Sequence, residues 1–260
     1  MKLKKFMRLS DTEIERYARQ VVMPELGEDG QKKLLEARVL ILGAGGLGAP
    51  VIAGLAGAGA GHLTILDEDI IDTTNLNRQF IHKTESLSQP KSASAAQFIQ
   101  QLNPDISVQC QQVRFTDINA DALVDAHDLV IDCTDNPETR YLANATCQRL
   151  NAPLIFGGVI RTDGQVTSFV PNNPHSPCLR CIFPQTDLDY DQAPSCANSG
   201  ILGSTTLVIG GLQTAEALKI LAGFGTPLIG RLLLYDGLAN SFTEIAVSPD
   251  PACPVCARPE

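Results

Sequence analysis

The chain lacks a basic balance. It has 20 Lys and Arg against 29 Asp and Glu, a net charge of −9 over 260 residues. That argues against a nucleic-acid binder, which needs a basic face, and fits plain solubility or a basic partner surface. Histidine is scarce: His62, His82, His127 and His175 are the four present and form no ligand or triad pattern. No Gly-x-Ser-x-Gly elbow and no Walker A motif occurs. The basic segment from Met1 to Ser10 has no apolar run of about 7–15 residues, so it does not read as a secretory signal. The expected location is cytoplasmic, with no membrane association. An uncharged stretch does run from Val39 to Gly61, but eight glycines and Pro50 divide it. There is no internal repeat and no low-complexity tail. Hydrophobic content of 44% fits an ordinary globular protein, long enough to bury a full core.

What is present begins with Val39-Leu40-Ile41-Leu42-Gly43-Ala44-Gly45-Gly46-Leu47-Gly48. It reads as a buried strand, a glycine turn and a helix start. A second apolar run, Leu63 to Leu66, ends at Asp67, nineteen residues past Gly48. Glycines at 43, 45 and 46 let the backbone approach a phosphate, and the helix N-terminus offers it free N–H groups. Asp67 at a strand end would reach ribose hydroxyls. The pattern points to a nucleotide and does not say which; NAD is the usual candidate.

Along the chain, residues 11–37 read as helical, then strands and helices alternate. Strand 38–42, a helix to about 60, strand 63–66, a polar loop 67–90, helix 91–102, strand 106–112, helix 119–126, strand 128–132, helix 138–150 and strand 153–156 make a repeating β-α order. That predicts a Rossmann-like sheet with helices on both faces. After residue 157 the character changes. Val159 to Val170 suggests antiparallel strands around a turn at Asp163-Gly164, 171–199 reads as loop, 201–221 as a long helix, and 231–235 and 242–247 as strands. The expected organisation is one continuous α/β domain with a mixed sheet: a helical segment 1–37, a nucleotide-binding half 38–157, and a C-terminal half 158–260 clipped by metal.

The metal expectation rests on Cys178-Leu-Arg-Cys181 and Cys253-Pro-Val-Cys256. Two C-x2-C knuckles commonly make a tetrahedral four-cysteine zinc site. The pairs are 71 residues apart. Loop closure costs only about 0.6 kcal/mol per doubling of length, against about 10–16 kcal/mol returned by structural zinc in small peptides. A redox C-x-x-C is disfavoured because neither pair is expected to open a helix after a strand. With four cysteine ligands the zinc would be structural. Cys110, Cys133 and Cys147 fall in predicted strand or helix and read as buried packing. Cys196 differs: it sits in the polar loop Ala193 to Ser199 before a helix, where exposure and a helix N-terminus favour thiolate. An unimportant loop cysteine is the competing reading.

Several charged residues have site-like positions. Arg78, after Asn75-Leu76-Asn77, would clamp phosphates bidentately, unless it is a solvated surface arginine. Lys91 opens a helix and would neutralise a phosphate, unless it is an ordinary exposed lysine. Asp132 and Asp135 lie where a parallel strand ends, the edge at which α/β sheets bind ligands. A carboxylate there can hold Mg²⁺, or simply cap a helix.

These pieces occur in one order: Arg16-Tyr17-Ala18-Arg19-Gln20, the glycine turn, Asn75-Leu76-Asn77-Arg78-Gln79, Gln89-Pro90-Lys91, Asp132-Cys133-Thr134-Asp135-Asn136 and the two knuckles. Together they resemble the ubiquitin-activating-enzyme-like superfamily in its compact bacterial MoeB/ThiF/HesA form, over about residues 10 to 256. The resemblance implies an adenylyltransferase. Such enzymes bind ATP and Mg²⁺, and activate the C-terminal Gly-Gly carboxylate of a small ubiquitin-like sulfur carrier of MoaD or ThiS type. The product is an acyl-adenylate, with pyrophosphate released ahead of sulfur transfer for molybdopterin or thiamin biosynthesis. By the same resemblance Gly43, Gly45, Gly46 and Asp67 would line the nucleotide, and Asn75, Arg78 and Lys91 would contact phosphates. Asp135 would serve the metal beside Asn136. Arg19 would reach the ATP of a second subunit, implying a homodimer, and Cys178, Cys181, Cys253 and Cys256 would hold one zinc per chain. Cys196 falls where thiamin-type members carry a sulfur-transfer cysteine. With no sulfurtransferase domain expected past Glu260, sulfur would come from a separate donor, a cysteine desulfurase or sulfurtransferase.

The chemistry suits the residue types. Attack by a carboxylate on a polyphosphate is mainly a charge problem, which arginine, lysine and Mg²⁺ offset. The carboxylate is already ionised, so no histidine base is needed. Three other readings compete. An NAD-dependent oxidoreductase explains the glycines and Asp67 only. A non-enzymatic carrier-binding scaffold would not need Arg19, Arg78, Lys91 and Asp135 together. A tRNA-dehydrating or peptide-adenylating relative stays in the family and changes the substrate.

Overall fold

The alternation of apolar residues on the strands builds the molecule. In this computed structural model, which describes residues 9–184 and 199–257, strand β1 (Arg38–Leu42) sends Val39 and Ile41 into one core and Leu40 and Leu42 into another. All four are essentially free of solvent. At about 1.5–3 kcal/mol for each fully buried large apolar side chain, such a strand is a strong organiser of both faces.

Seven strands join it: β2 (His62–Leu66), β3 (Ser107–Gln111), β4 (Leu129–Asp132), β5 (Leu154–Ile160), β6 (Asp163–Phe169), β7 (Arg231–Asp236) and β8 (Ser241–Ala246). They form one sheet in the order β3-β2-β1-β4-β5-β6-β7-β8. Pairing is parallel from β3 to β5 and antiparallel from β5 to β8. The order reverses between β1 and β4, the crevice where doubly wound sheets take ligands. On one face lie α3 (Gly48–Ala58), α4 (Lys91–Leu102) and α8 (Gly203–Ala222); on the other, α5 (Ala120–Asp125) and α6 (Pro137–Leu150). α8 packs on α3, β5 and β6. It carries the buried Gln213, whose Nε2 donates to the Asp132 carbonyl at 2.7 Å. The mixed sheet with helices on both faces matches the sequence reading.

Residues 11–37 are helical as expected, divided between two helices, α1 (Asp11–Val21) and α2 (Gly27–Glu36). Pro24 disfavours helical backbone in the residue before it, and Gly27 adopts φ +62°. Two other local expectations need correction. The β5–β6 turn is at Arg161-Thr162, with Ile160 paired to Asp163; Asp163 and Gly164 lie inside the strand. Arg161 itself takes φ +55°, a conformation that Asp-Gly would have filled more readily. Finally, Cys178 does stand at the start of a helix, the single turn α7 (Leu179–Ile182), although a loop separates it from β6. No helix among the described residues is long and apolar enough to cross a membrane.

Candidate nucleotide site and metal centre

The glycine turn is held from three sides. Gly43 adopts φ +97° and Gly48 leaves no room for a side chain, since a Cβ there would lie 2.1 Å from the Gly43 carbonyl oxygen. Asp67, at the end of β2, accepts the Ala44 N–H at 2.7 Å and the Asp69 N–H at 2.9 Å. Burial pushes its carboxyl above the usual range, while the Ala44 N–H and Lys91 pull it back. His82 lies beneath the turn, its Nε2 2.9 Å from the Ala44 carbonyl and its Nδ1 3.0 Å from Ser94 Oγ. A carbonyl only accepts, so Nε2 carries the proton and Nδ1 accepts from Ser94. The Rossmann turn and the acid are therefore one bonded unit.

Above this unit is a cavity of about 390 Å³. Gly43, Gly45, Gly46, Asp67, Asn75, Arg78, Lys91, Asp135 and Asn136 all line it, so the structure brings together nine sequence-predicted residues. Leu42, Leu66, Val113 and Phe115 give it an apolar wall on the β3 side. Arg78 passes over Gly46, with Cδ 3.5 Å from where a Cβ would stand, and Thr206 of α8 closes the same spot. Its Nη1 donates to the Thr74 carbonyl at 2.9 Å and to Asn77 Oδ1 at 3.2 Å, and among the described residues Nε and Nη2 are left for a ligand. The amide oxygen of Asn75 accepts the Asp72 N–H, so its Nδ2 is the group available to a phosphate. Lys91 is buried and bonded to Asp69 at 2.7 Å.

The acids at the end of β4 and in the loop after it divide their roles. Asp132 is buried against Arg140 at 3.3 Å and accepts the Thr134 N–H and hydroxyl. Burial raises its carboxyl, opposed by Arg140. Asp135 is exposed on the cavity wall. Neither caps α6: Asn136 does, accepting the Thr139 N–H at 3.1 Å.

Arg140, His82 and Gln213 escaped sequence reasoning. Arg140 also donates to the carbonyls of Thr134 and Gly157 and lies over the Phe156 ring, fixing the loop that carries Asp135. Its signal was an arginine one turn past a site-strand cap. His82 and Gln213 had none, because a buried side chain bonded to a distant backbone leaves no local spacing. Arg19 is exposed on α1 and does not line the cavity of its own chain. Cys196 lies outside the described residues.

The four knuckle cysteines converge. Their Sγ atoms all lie within 4.8 Å of one another, with Cys178 3.9 Å from Cys181 and 3.6 Å from Cys253, and Cys181 3.3 Å from Cys256. Tetrahedral sulfur ligands about 2.3 Å from a zinc ion stand at comparable separations, so the set fits zinc. Burial raises the Cys178 thiol to about 11. At Cys253 burial is outweighed by the N–H groups of Cys256 and Val255, and the thiol is lowered. Asn144 and Tyr141 on α6 grip this end, accepting the Leu179 N–H at 2.9 Å and donating to the Phe183 carbonyl at 3.0 Å.

The fold is a Rossmann-like α/β sheet with a polar cavity at the crevice where such sheets take ligands. The model of the ThiF family matches residues 17–255, and the chain belongs to that family. It is 43% identical over 253 residues to a sulfur carrier protein adenylyltransferase of Thermus thermophilus, covering 96% of this chain and 93% of the relative. It is 40% identical over 250 residues to a molybdopterin-synthase adenylyltransferase of Salmonella typhimurium, covering 96% and 99%. Among solved structures, Escherichia coli MccB with MccA-N7isoASN superimposes with a TM-score of 0.81 at 22% identity, covering 96% of this chain and 76% of MccB. That last likeness concerns the fold alone.

Proposed function

We propose that this chain adenylates the C-terminal Gly-Gly carboxylate of a ubiquitin-like sulfur carrier of MoaD or ThiS type. The observation that carries the reading is the set of Asp67, Arg78, Lys91 and Asp135 around one glycine turn. These are groups for a ribose, phosphates and their metal. The carboxylate oxygen attacks the α-phosphorus; the new acyl–phosphate bond forms as the α–β bridging bond breaks and pyrophosphate leaves with the electron pair. Arg78 and Lys91 offset charge on the phosphate oxygens, which are more negative in the transition state. Asp135 would hold Mg²⁺, whose charge would offset that of the phosphates. Asp67 would hold the ribose, and the α3 N-terminus would face a phosphate. A nicotinamide oxidoreductase would use the turn and Asp67 and leave the cations idle.

The remaining assignments follow the same reading. Cys178, Cys181, Cys253 and Cys256 would hold one structural zinc. Arg19, exposed on α1 and outside the lining of its own cavity, would serve a second subunit's ATP in a homodimer. Cys196 would take part in sulfur transfer from a separate donor, and the protein would work in the cytoplasm. Molybdopterin and thiamin biosynthesis are the pathways this chemistry serves. Mass spectrometry of a carrier incubated with the protein and MgATP tests the adduct directly: an AMP-bearing carrier supports the reading, and an unchanged carrier of every type refutes it.

A further inference from the structure

We propose that Asp69 is an internal anion that competes with the nucleotide's phosphates for Lys91. This rests on the reading that phosphates occupy the cationic side of the cavity. The Lys91 side chain is 8% exposed, and its Nζ lies 2.7 Å from Asp69 Oδ2; Asp69 is 64% exposed. Both residues line the cavity. The lysine is thus a largely buried cation whose only bonded carboxylate among the described residues stands at the rim.

The carboxylate is not what places the lysine. The Lys91 N–H bonds the Asp69 carbonyl at 2.9 Å, the Ile71 N–H bonds the Gln89 carbonyl at 2.9 Å, and Ile70 and Pro90 form a bridge. The start of α4 is therefore fixed by backbone bonds. What the Asp69 side chain adds is charge. In the free protein that charge compensates a desolvated ammonium, which is costly to leave alone. A bound phosphate offers the same ammonium a second anion, and the two anions repel each other. Asp67, Glu68 and Asp72 lie within a few residues and add to that repulsion. Asp69 accordingly weakens nucleotide binding and favours departure of phosphate-bearing products.

Asp69→Asn keeps the shape and an acceptor oxygen and removes the charge. Calorimetric titration of the full chain with MgATP and with inorganic tripolyphosphate tests the idea. The expected result is affinity about two- to fivefold tighter than wild type, the range for an ion pair with one solvent-exposed partner. Asp69→Glu keeps the charge and stays near wild type. In a Lys91→Gln background the gain from Asp69→Asn shrinks, as a double-mutant cycle requires of coupled groups. Unchanged or weaker binding by Asp69→Asn overturns the proposal, and weakening confined to Mg²⁺-containing buffer makes Asp69 a metal ligand instead. An undiminished gain without Lys91 reduces the effect to plain repulsion and also overturns it. Failure of the wild-type chain to bind either probe overturns the nucleotide reading itself.

Discussion

Asp67 accepts the Ala44 N–H at 2.7 Å, so the acid expected to hold a ribose also holds the glycine turn. Removing it acts on both ends of a nucleotide. Asp67→Ala should weaken MgATP binding by more than about tenfold. It should also cost about 1–3 kcal/mol of stability, the penalty for leaving a buried N–H without its acceptor. Isothermal titration and denaturant unfolding measure the two effects; normal affinity in a folded variant would remove Asp67 from the site.

Gly48→Ala should be far more damaging than its single methyl suggests. The added Cβ would stand 2.1 Å from the Gly43 carbonyl oxygen, so the turn must open. At Gly46 the nearest atoms are side chains, with Thr206 Cγ2 at 3.2 Å, which can give way. Thermal melts should therefore show a large loss for Gly48→Ala and a small one for Gly46→Ala, while both lose nucleotide affinity. Equal stability of the two variants would contradict the packing described.

Acidification should loosen the same turn. Burial holds His82 below the 6.5 of a free imidazole, so the unfolded chain takes up the proton first as the pH falls. The contribution to stability is full above about 6.5 and is lost below it. His127 is lowered by burial in the same way. Denaturant midpoints should fall between pH 7 and pH 5, and His82→Gln, which cannot titrate, should show a shallower decline. An identical pH slope in that variant would exclude His82 as a contributor.

Zinc binding should release protons. Four cysteines that converge within 4.8 Å must lose their protons to become ligands, and burial raises Cys178 to about 11. Affinity for zinc should therefore strengthen as the pH rises from 6 to 8. Cys253→Ser should lower the melting temperature by several degrees and release the metal to a chelator. Metal analysis of the folded wild-type chain should give about one zinc per chain; far less would reject the site.

Much of this arrangement was legible in the sequence because its signals are local. The strand-turn-helix around Gly43 to Gly48, the acid at 67 and the paired knuckles each lie within a few residues, and each has one geometric meaning. Spacing failed where tertiary bonds decide. Spacing alone gave Asp132 and Asp135 equal standing at the end of β4; the resemblance favoured Asp135, and the burial of Asp132 beside Arg140 at 3.3 Å gives the physical difference. It could not show that Lys91 is bonded to Asp69, because that contact depends on the bridge between Ile70 and Pro90. The helical reading of 11–37 agrees with the structure, and the break between α1 and α2 falls at Pro24 and Gly27.

The most direct test of the adenylation reading is ATP–pyrophosphate exchange with each candidate Gly-Gly carrier. Label from pyrophosphate should enter ATP only when a carrier with an intact C-terminus is present. The exchange should vanish when its last glycine is removed and fall by about 10²–10³-fold in Arg78→Ala. Exchange that proceeds without any carrier, or fails with all of them while the protein still binds ATP, would contradict it.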